Sequence, residues 1–181
     1  MKAEAQRIPE VLLITPTVHR DHRGYFYESY QQEHFARLGI KEPFVQDNQS
    51  QSTYGVIRGL HYQLAPHAQG KLVRAIEGTI LDVAVDIRPL SRTYSKSVCV
   101  ELSAENHQVL YIPRGFAHGF VVLSERAIVS YKCDAYWNPD AERGIRYDDP
   151  ALQIDWRIPE GDIVLSSRDS LFPSLSQADV L

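Results

Sequence analysis

The chain has 181 residues, of which 44% are hydrophobic, and it carries a formal net charge of −4. These values predict one globular domain over residues 1–181, and they argue against nucleic acid as a partner. Two cysteines are too few for a disulfide framework or a cysteine-based zinc site. The apolar run at residues 11–14 is neither a signal peptide nor a membrane span, so we expect a cytoplasmic protein with no membrane partner.

Most of the chain has the period-two hydrophobic pattern of short β-strands. The clearest strand, residues 79–87, places Leu81, Val83 and Val85 on one face and Asp82 on the other. Residues 98–102 and 127–134 alternate in the same way. Further strands are expected at 11–14, 24–28, 43–48, 56–63, 70–76, 108–112, 118–123 and 163–165. Turn-forming prolines and glycines separate them, which predicts a β-sandwich or barrel.

One helix is expected between the early strands. Ser29 is its predicted N-cap, Gln32 completes a capping box, and Gly39 ends it. Its predicted stripe comprises Tyr30, His34 and Leu38. Near the other end of the chain, residues 170–181 lack any periodic pattern, which predicts a loose tail.

The residues around His61 suggest acid–base chemistry on an anionic substrate. An imidazole transfers protons near neutral pH, and the nearby Arg58 and Lys71 carry the charge to hold a phosphate or stabilise an oxyanion. A lone histidine in a strand is more often structural. However, Lys71 shares strand parity with Val73 and Ala75, and lysines on apolar faces are uncommon unless paired or functional.

Arg58 does not fit this site by simple strand geometry. Strict alternation places Arg58 and His61 on opposite faces of their strand. Either Gly59 forms a bulge that re-aims one side chain, or Arg58 serves a second site across a subunit interface.

A second block, residues 113–120, has a Pro-x-Gly-x-x-His spacing that ends at His118. This spacing is similar to the second cupin motif, whose histidine often binds a metal. The first cupin motif needs a second histidine where this chain has Gln63. Because a stable divalent site usually needs three or more protein ligands, and His61 and His118 supply two, no metal is expected.

Two further residues are candidates for proton transfer. Tyr131 has the parity of the apolar face of its strand, so it is either a core tyrosine or a phenol that donates a proton. Asp169 is either an ordinary surface aspartate or a carboxylate that orients an imidazole. The sequence alone does not bring Asp169 to His61.

Together these blocks resemble the dTDP-4-dehydrorhamnose 3,5-epimerase family, from about residue 8 to residue 169. The motifs that carry the resemblance lie at 21–24, 44–48, 58–63, 69–73, 82–88, 112–120 and 131–132. The resemblance implies an all-β, cupin-type double-stranded β-helix (jelly roll) with one or two short helices. It also implies a homodimer that uses no cofactor. The implied substrate is a dTDP-4-keto-6-deoxyhexose, dTDP-4-keto-6-deoxy-D-glucose, inverted at carbons 3 and 5.

The resemblance also implies a role for each matching residue. It makes His61 the base, Asp169 the partner of that base, Tyr131 the proton donor and Lys71 the group that stabilises the enolate. The implied substrate-binding residues are Arg23, Phe26, Glu28, Gln46, Asn48, Arg58, Lys71, His118, Tyr136, Glu142 and Arg168. Thymine stacks well on aromatic rings, and the candidates for this contact are Tyr136, Trp137 and Phe26.

Three alternatives stand beside this interpretation. Epimerases of related dTDP-4-keto-deoxysugars share most of the motifs. A metal-dependent cupin would use His61 and His118 as ligands, and Gln63 argues against it. A nucleotide-sugar binding module without catalysis would not need the acid and base that His61 and Tyr131 provide.

Overall fold

The structure, a computed structural model, describes residues 1–180. Its strands in that part of the chain are β1 (Lys2–Ala5), β2 (Leu12–Thr15), β3 (His19–Asp21), β4 (Gly24–Phe26), β5 (Gln46–Thr53), β6 (Ile57–Gln63), β7 (Lys71–Glu77), β8 (Thr79–Asp86), β9 (Ser97–Ser103), β10 (Val109–Ile112), β11 (Phe116–Val122), β12 (Arg126–Cys133) and β13 (Glu142–Gly144). One α-helix, α1, spans Gln32–Arg37, and short 3-10 helices span Glu160–Asp162 and Asp169–Leu171.

The strands form two large antiparallel sheets and a separate hairpin. The six-stranded sheet has the order β1-β2-β10-β7-β12-β5, the five-stranded sheet the order β13-β6-β11-β8-β9, and β3 pairs with β4 alone. Apolar side chains from the inner faces of both sheets form a shared core that includes Val73, Leu110, Val129, Ala84 and Phe120. This arrangement confirms the predicted all-β jelly roll with short helices.

Both large sheets are also covered on their outer faces. Helix α1 covers the six-stranded sheet, where Phe35 packs against Leu72 and Val109. Segments near the C-terminus cover the five-stranded sheet, with Trp156 and Leu175 in the same cluster as Leu81 and Val83. Strand β8 is therefore buried on both faces, and Asp82, on the face opposite Leu81 and Val83, is fully buried.

The helix is shorter than predicted, and the Ser29 cap is wrong. Gln31 is the N-cap, because its side-chain oxygen accepts a 2.6 Å hydrogen bond from the backbone N–H of His34. Gln32 is consequently the first helical residue and not the end of a capping box. Gly39 does follow the helix with φ of +96°, as a C-terminal glycine should. In residues 1–180, no helix is long and apolar enough to cross a membrane.

Polar and very short strands account for most of the differences from the predicted strands. The strand predicted at 43–48 instead runs from Gln46 to Thr53 at a sheet edge, where alternating polar side chains give no hydrophobic signal. Residues 163–165 contribute only one parallel bridge, between Val164 and Val56. The strands β1, β3 and β13 have three or four residues each and were not predicted.

The predicted loose tail is wrong for residues 170–180. Leu175 is buried, and its backbone N–H donates a 2.6 Å hydrogen bond to the Asp149 carboxylate. The hydroxyl of Tyr62 donates to the backbone oxygen of Asp179 at 2.8 Å. Leu181 lies outside the described residues, and the expectation of one domain over 1–181 stays a prediction.

Candidate active site

His61 and Asp169 form a hydrogen-bonded pair at the inner face of the five-stranded sheet. His61 Nε2 lies 3.0 Å from Asp169 Oδ1, and Asp169 Oδ2 accepts a 3.1 Å hydrogen bond from the backbone N–H of Gly59. Burial pushes the pKa of Asp169 up, but the hydrogen bonds from His61 and from the Gly59 N–H outweigh it and leave that pKa below its ordinary value. Asp169 is therefore an ionised partner for the imidazole.

The segment that follows Asp169 also fixes the imidazole ring. The ring of Phe172 meets the His61 ring edge-on at a centroid distance of 5.5 Å. Phe172 in turn packs where Gly144 has no side chain, since a Cβ at Gly144 would lie 2.4 Å from the Phe172 ring. Because Gly144 is the cross-strand partner of His61, this contact seats the Asp169 segment directly against the His61 imidazole.

A bulge at Gly59 resolves the parity of Arg58. Strand β11 pairs His118 with His61 and Phe120 with Arg58, so two residues of β6 lie opposite one residue of β11. Gly59 has φ of +127°, and a Cβ there would lie 2.5 Å from the Cα of Gly119. Arg58 and His61 consequently share the inner face, and Arg58 Nε donates to Ser52 Oγ at 3.0 Å.

Lys71 and Tyr131 face His61 from the six-stranded sheet. Tyr131 pairs with Val73 and Asn48, and Lys71 pairs with Cys133, which places these side chains in two adjacent inner rows. Burial lowers the pKa of Lys71, although Cys133 and the carboxylates of Asp82 and Glu142 oppose the shift. Burial also raises the pKa of Tyr131, so its phenol keeps its proton at neutral pH.

A small cavity lies between these groups. Its volume is about 70 Å³, and its walls are Gln46, Asn48, His61, Tyr62, Gln63, Gln69, Lys71, Tyr131, Cys133, Trp137 and Glu142. An imidazole, an ammonium and a phenol therefore meet in one place. This combination provides a base, an electrostatic stabiliser for an oxyanion, and an acid.

His118 forms a second histidine–carboxylate pair beneath the first. His118 Nε2 lies 2.7 Å from Asp82 Oδ1, and both side chains are buried. Burial is the main cause that lowers the pKa of His118, and the charge of Lys71 adds to it, although the Asp82 carboxylate opposes the shift. Asp82 Oδ2 has no hydrogen-bond partner within residues 1–180.

Glu142 connects two segments at the mouth of the cavity. Its Oε2 atom accepts from Trp137 Nε1 at 2.9 Å and pairs with Arg168 at 2.7 Å. Burial pushes the pKa of Glu142 up, but these hydrogen bonds lower it below the ordinary value. The Trp137 backbone N–H also donates to Gln46 Oε1 at 2.9 Å, which ties the mouth to edge strand β5.

Gln63 holds the loop beside the cavity. Its amide donates to the backbone oxygens of His67 and Tyr136, at 2.6 and 3.3 Å, and its oxygen accepts from the Asn138 N–H at 2.7 Å. Within residues 1–180, no group of three or more His, Cys, Asp and Glu side chains is placed to hold a metal ion. A reaction without metal stays a prediction.

Seven of the predicted substrate-binding residues do not line the cavity, namely Arg58, His118, Arg168, Arg23, Phe26, Glu28 and Tyr136. Arg23 forms an ion pair with Asp21 in the β3–β4 hairpin, and the Phe26 ring beside it is 71% exposed. Glu28 accepts from His34 Nδ1 at 2.7 Å near the start of α1. This region lies on the outer face of the six-stranded sheet, whereas His61 faces the inside. Tyr136 is 70% exposed and contributes its backbone oxygen to Gln63.

The sequence interpretation missed Asp82, Cys133 and Phe172 as residues of this site. Asp82 had a signal, because an aspartate in the middle of an otherwise apolar strand indicates a buried carboxylate with a partner. Cys133 shares the parity of Tyr131, which the sequence also displays. Phe172 had no signal, since only the fold brings it to His61.

The chain is similar to known proteins over nearly its whole length. Residues 5–177 match the family described as dTDP-4-dehydrorhamnose 3,5-epimerase. A dTDP-4-dehydrorhamnose 3,5-epimerase of Shigella flexneri is 52% identical over 163 residues, which cover 90% of this chain and 89% of the relative.

Solved structures agree with the sequence match. The crystal structure of dTDP-4-dehydrorhamnose 3,5-epimerase from Elizabethkingia anophelis is 49% identical with a TM-score of 0.95, covering 100% of this chain and 99% of that one. A dTDP-6-deoxy-D-glucose-3,5-epimerase from Legionella pneumophila, in complex with dTDP-4-keto-L-rhamnose, is 46% identical with a TM-score of 0.94, covering 97% of this chain and 93% of that one.

Proposed function

Because the chain belongs to the dTDP-4-dehydrorhamnose 3,5-epimerase family, we propose that it binds dTDP-4-keto-6-deoxy-D-glucose and inverts carbons 3 and 5 of the sugar. The protein is an epimerase and therefore an isomerase. The observation that carries the proposal is the arrangement of the His61–Asp169 pair, Lys71 and Tyr131 around one small cavity. Both carbons flank a ketone, so each proton is acidic enough for a general base to remove.

His61 removes the proton from each carbon. Asp169 accepts a hydrogen bond from the imidazole and carries a negative charge, so it stabilises the imidazolium that forms. The side chain of His61 is 29% exposed, which gives it access to the cavity, whereas that of Asp169 is 6% exposed. The base is therefore open to substrate while its partner is held in place by the Gly59 N–H.

Lys71 stabilises the enolate that each proton removal creates. Its ammonium is buried, and in a region with little water a fixed positive charge acts strongly on a developing oxyanion. Tyr131 protonates the other face of the ring. It lies on the opposite sheet from His61, which is the geometry that inversion requires.

Fixed positive charge at the rim binds the diphosphate. Arg168 lies at the mouth with its side chain 54% exposed, and Arg58 bridges the two sheets through Ser52. Gln46 and Asn48 lie in the inner rows beside Cys133 and Tyr131, where their amides can bind sugar hydroxyls. The Trp137 ring offers a stacking surface for thymine at the mouth.

The active form is a homodimer in which the β3–β4 hairpin of one protomer reaches the site of its partner. The hairpin carries Arg23 and Phe26 on the outer face, beside an open surface cavity of about 540 Å³. These residues are absent from the lining of the His61 cavity of the same chain, so they would complete such a site in another copy. Because the Gly59 bulge explains the orientation of Arg58, that residue no longer argues for a dimer. Strand β1 still does, since it lies at an open edge of the six-stranded sheet where a second copy could pair.

Light scattering at micromolar concentration should give twice the 20.6 kDa chain mass, and a fully active monomer would refute the dimer.

The protein acts in the cytoplasm. Cys99 and Cys133 are both free thiols and lie on strands of different sheets, which suits a reducing compartment. A fractionation experiment that places the protein outside the cytoplasm would contradict this.

The reaction needs no metal. Gln63 holds backbone groups of the neighbouring loop, so the position that a ligand histidine would occupy has another use. Activity should survive exhaustive chelation with EDTA. If turnover disappears and one divalent ion restores it, the metal-dependent cupin alternative is correct instead.

The direct test is turnover of dTDP-4-keto-6-deoxy-D-glucose in deuterated buffer, followed by NMR at each ring carbon. The expected product is dTDP-4-keto-L-rhamnose with deuterium at carbons 3 and 5. The matched control is dTDP-glucose, which has no ketone and should take up no deuterium. Exchange and inversion at carbon 3 alone would favour an epimerase of a related dTDP-4-keto-deoxysugar. No exchange at either carbon would contradict the proposal.

A further inference from the structure

His107 fastens the β3–β4 hairpin to the rest of the protein. The histidine is buried and lies in the loop that precedes β10. Its ring contacts those of Tyr25 and Tyr27, with centroid distances of 4.6 and 5.1 Å. Its Nε2 atom lies 3.1 Å from Nη2 of Arg20 on β3. Two residues of the hairpin and the one that follows it therefore converge on a single imidazole.

The partner of Nε2 determines the protonation state of this imidazole. A guanidinium can only donate hydrogen bonds, so Nε2 must accept, and the ring is neutral with its proton on Nδ1. Arg20 also stacks over the Tyr25 ring, at 5.5 Å from the ring centre. A protonated imidazole would turn its acceptor into a donor and place two positive charges in contact.

We infer that His107 is a positioning residue for nucleotide binding, because it holds the hairpin that carries Arg23 and Phe26 and releases that hairpin when it gains a proton. The inference rests on the proposed role of the hairpin in the partner's site. It adds a means by which acidity weakens nucleotide binding without a change in the catalytic groups.

The charges around His107 favour release in acid. Burial and the positive charge of Arg20 lower the pKa of His107, and the carboxylate of Glu105 in the same loop opposes them weakly. On β7, Arg74 donates to Tyr27 Oη at 3.2 Å and adds positive charge to the group. Because its pKa is lowered, neutral His107 holds the hairpin fully at pH values above the ordinary pKa of histidine. Its contacts are lost as the pH falls through the lowered pKa.

Two substitutions of His107 separate its role as a hydrogen-bond acceptor for Arg20 from its ability to gain a proton. His107→Gln keeps an acceptor but cannot be protonated, and His107→Phe keeps an aromatic ring but has no acceptor. The φ of +56° at this position disfavours β-branched and bulky side chains, so His107→Phe carries a backbone cost that His107→Gln largely avoids. Arg20→Met removes the donor from the exposed end of the same contact, and it is the second variant should His107→Phe fold poorly. His22→Gln, in the turn of the hairpin, is the matched control.

The experiment measures the Kd of dTDP by calorimetry and hydrogen exchange of the amides in residues 19–26. At about pH 7.5, well above the ordinary pKa of histidine, His107→Gln and the control should bind dTDP like the wild type. Under the same conditions His107→Phe and Arg20→Met should bind roughly tenfold more weakly, which is the loss expected for a hydrogen bond to a charged group. In these two variants the hairpin amides should exchange faster.

Acid provides the second comparison. As the pH is lowered from about 7.5 to about 4.5, a range that extends well below the ordinary pKa of histidine, dTDP binding by the wild type should weaken towards that of His107→Phe, while binding by His107→Gln should weaken less. The titration of the dTDP phosphates is common to both proteins and cancels in their ratio.

Each failure has a separate meaning. If the wild type binds dTDP and His107→Phe and Arg20→Met bind it equally well, the inference is wrong and the proposed function stands. An equal acid loss in the wild type and His107→Gln would also overturn the inference. If the wild type does not bind dTDP at all, the proposed function fails.

Discussion

Two histidine–carboxylate pairs lie side by side on β6 and β11, and they differ in their access to the cavity. His61 and His118 are direct cross-strand partners, and each contacts an aspartate at 3.0 Å or less. The side chain of His61 is 29% exposed, whereas that of His118 is 7% exposed. Since a general base must reach its substrate, the same chemical pair can serve for proton transfer in one place and for structure in the other.

The two aspartates differ as well. Both oxygens of Asp169 have partners, His61 and the Gly59 N–H, so its charge is directed at the base. Asp82 has one oxygen on His118 and one without a partner in the described part of the chain, and its charge also acts on Lys71. Under the proposed mechanism, the His118–Asp82 pair supports the positive charge of Lys71, and the His61–Asp169 pair carries out proton transfer.

The largest expected effect separates the two histidines. His61→Asn should lower deuterium exchange at both carbons by a factor on the order of 10²–10⁴, the usual cost of losing a general base. His118→Asn should instead lower the melting temperature, because it disturbs a buried pair and leaves Asp82 poorly partnered. NMR of exchange and a thermal melt on both variants check this. Exchange within a fewfold of wild type in His61→Asn would move the base to another residue.

Asp169→Asn should give a smaller version of the His61 defect. The imidazole remains, but the amide no longer stabilises the imidazolium, so exchange should fall clearly, although by less than in His61→Asn. The Gly59 N–H still has an oxygen to donate to, which protects the bulge. Single-turnover exchange measures the effect. A loss as large as that of His61→Asn would mean that Asp169 holds the site together and does more than assist the base.

Asp82→Asn should have the smallest effect at neutral pH and a clear one in base. Burial already lowers the pKa of Lys71, and the charge of Asp82 opposes that shift. Without this charge the pKa of Lys71 falls further, so the active ammonium is lost at lower pH. The basic limb of the profile of kcat against pH should therefore move to lower pH. An unchanged basic limb would show that Asp82 does not support the charge of Lys71.

The sequence predicted the inner rows of the site well, because strand parity is a local property. The inward positions of Lys71 and Tyr131 follow from alternation with Val73 and Val129, and both lie where alternation put them. The Gly59 bulge was one of two stated explanations for Arg58. The contact between His118 and Asp82 was not predicted, because it depends on which strands pair.

Features that depend on long-range contacts were harder to predict. Asp169 reaches His61 from 108 residues away, which required the whole fold. The packed tail was missed because Leu175 is an isolated apolar residue without periodicity. Edge strand β5 was misplaced because its residues are polar on both faces, so backbone pairing with β12 defines it.

The central claim is that His61 and Tyr131 act on opposite faces of the sugar ring. The most direct test is to follow deuterium uptake and inversion together by NMR in Tyr131→Phe, with His61→Asn measured beside it. Tyr131→Phe removes only a hydroxyl from a residue that packs against the core. Uptake with retained configuration should continue at one carbon or both, because His61 still forms the enolate, while inverted product should fall sharply. Inverted product at a near wild-type rate in Tyr131→Phe would contradict the account.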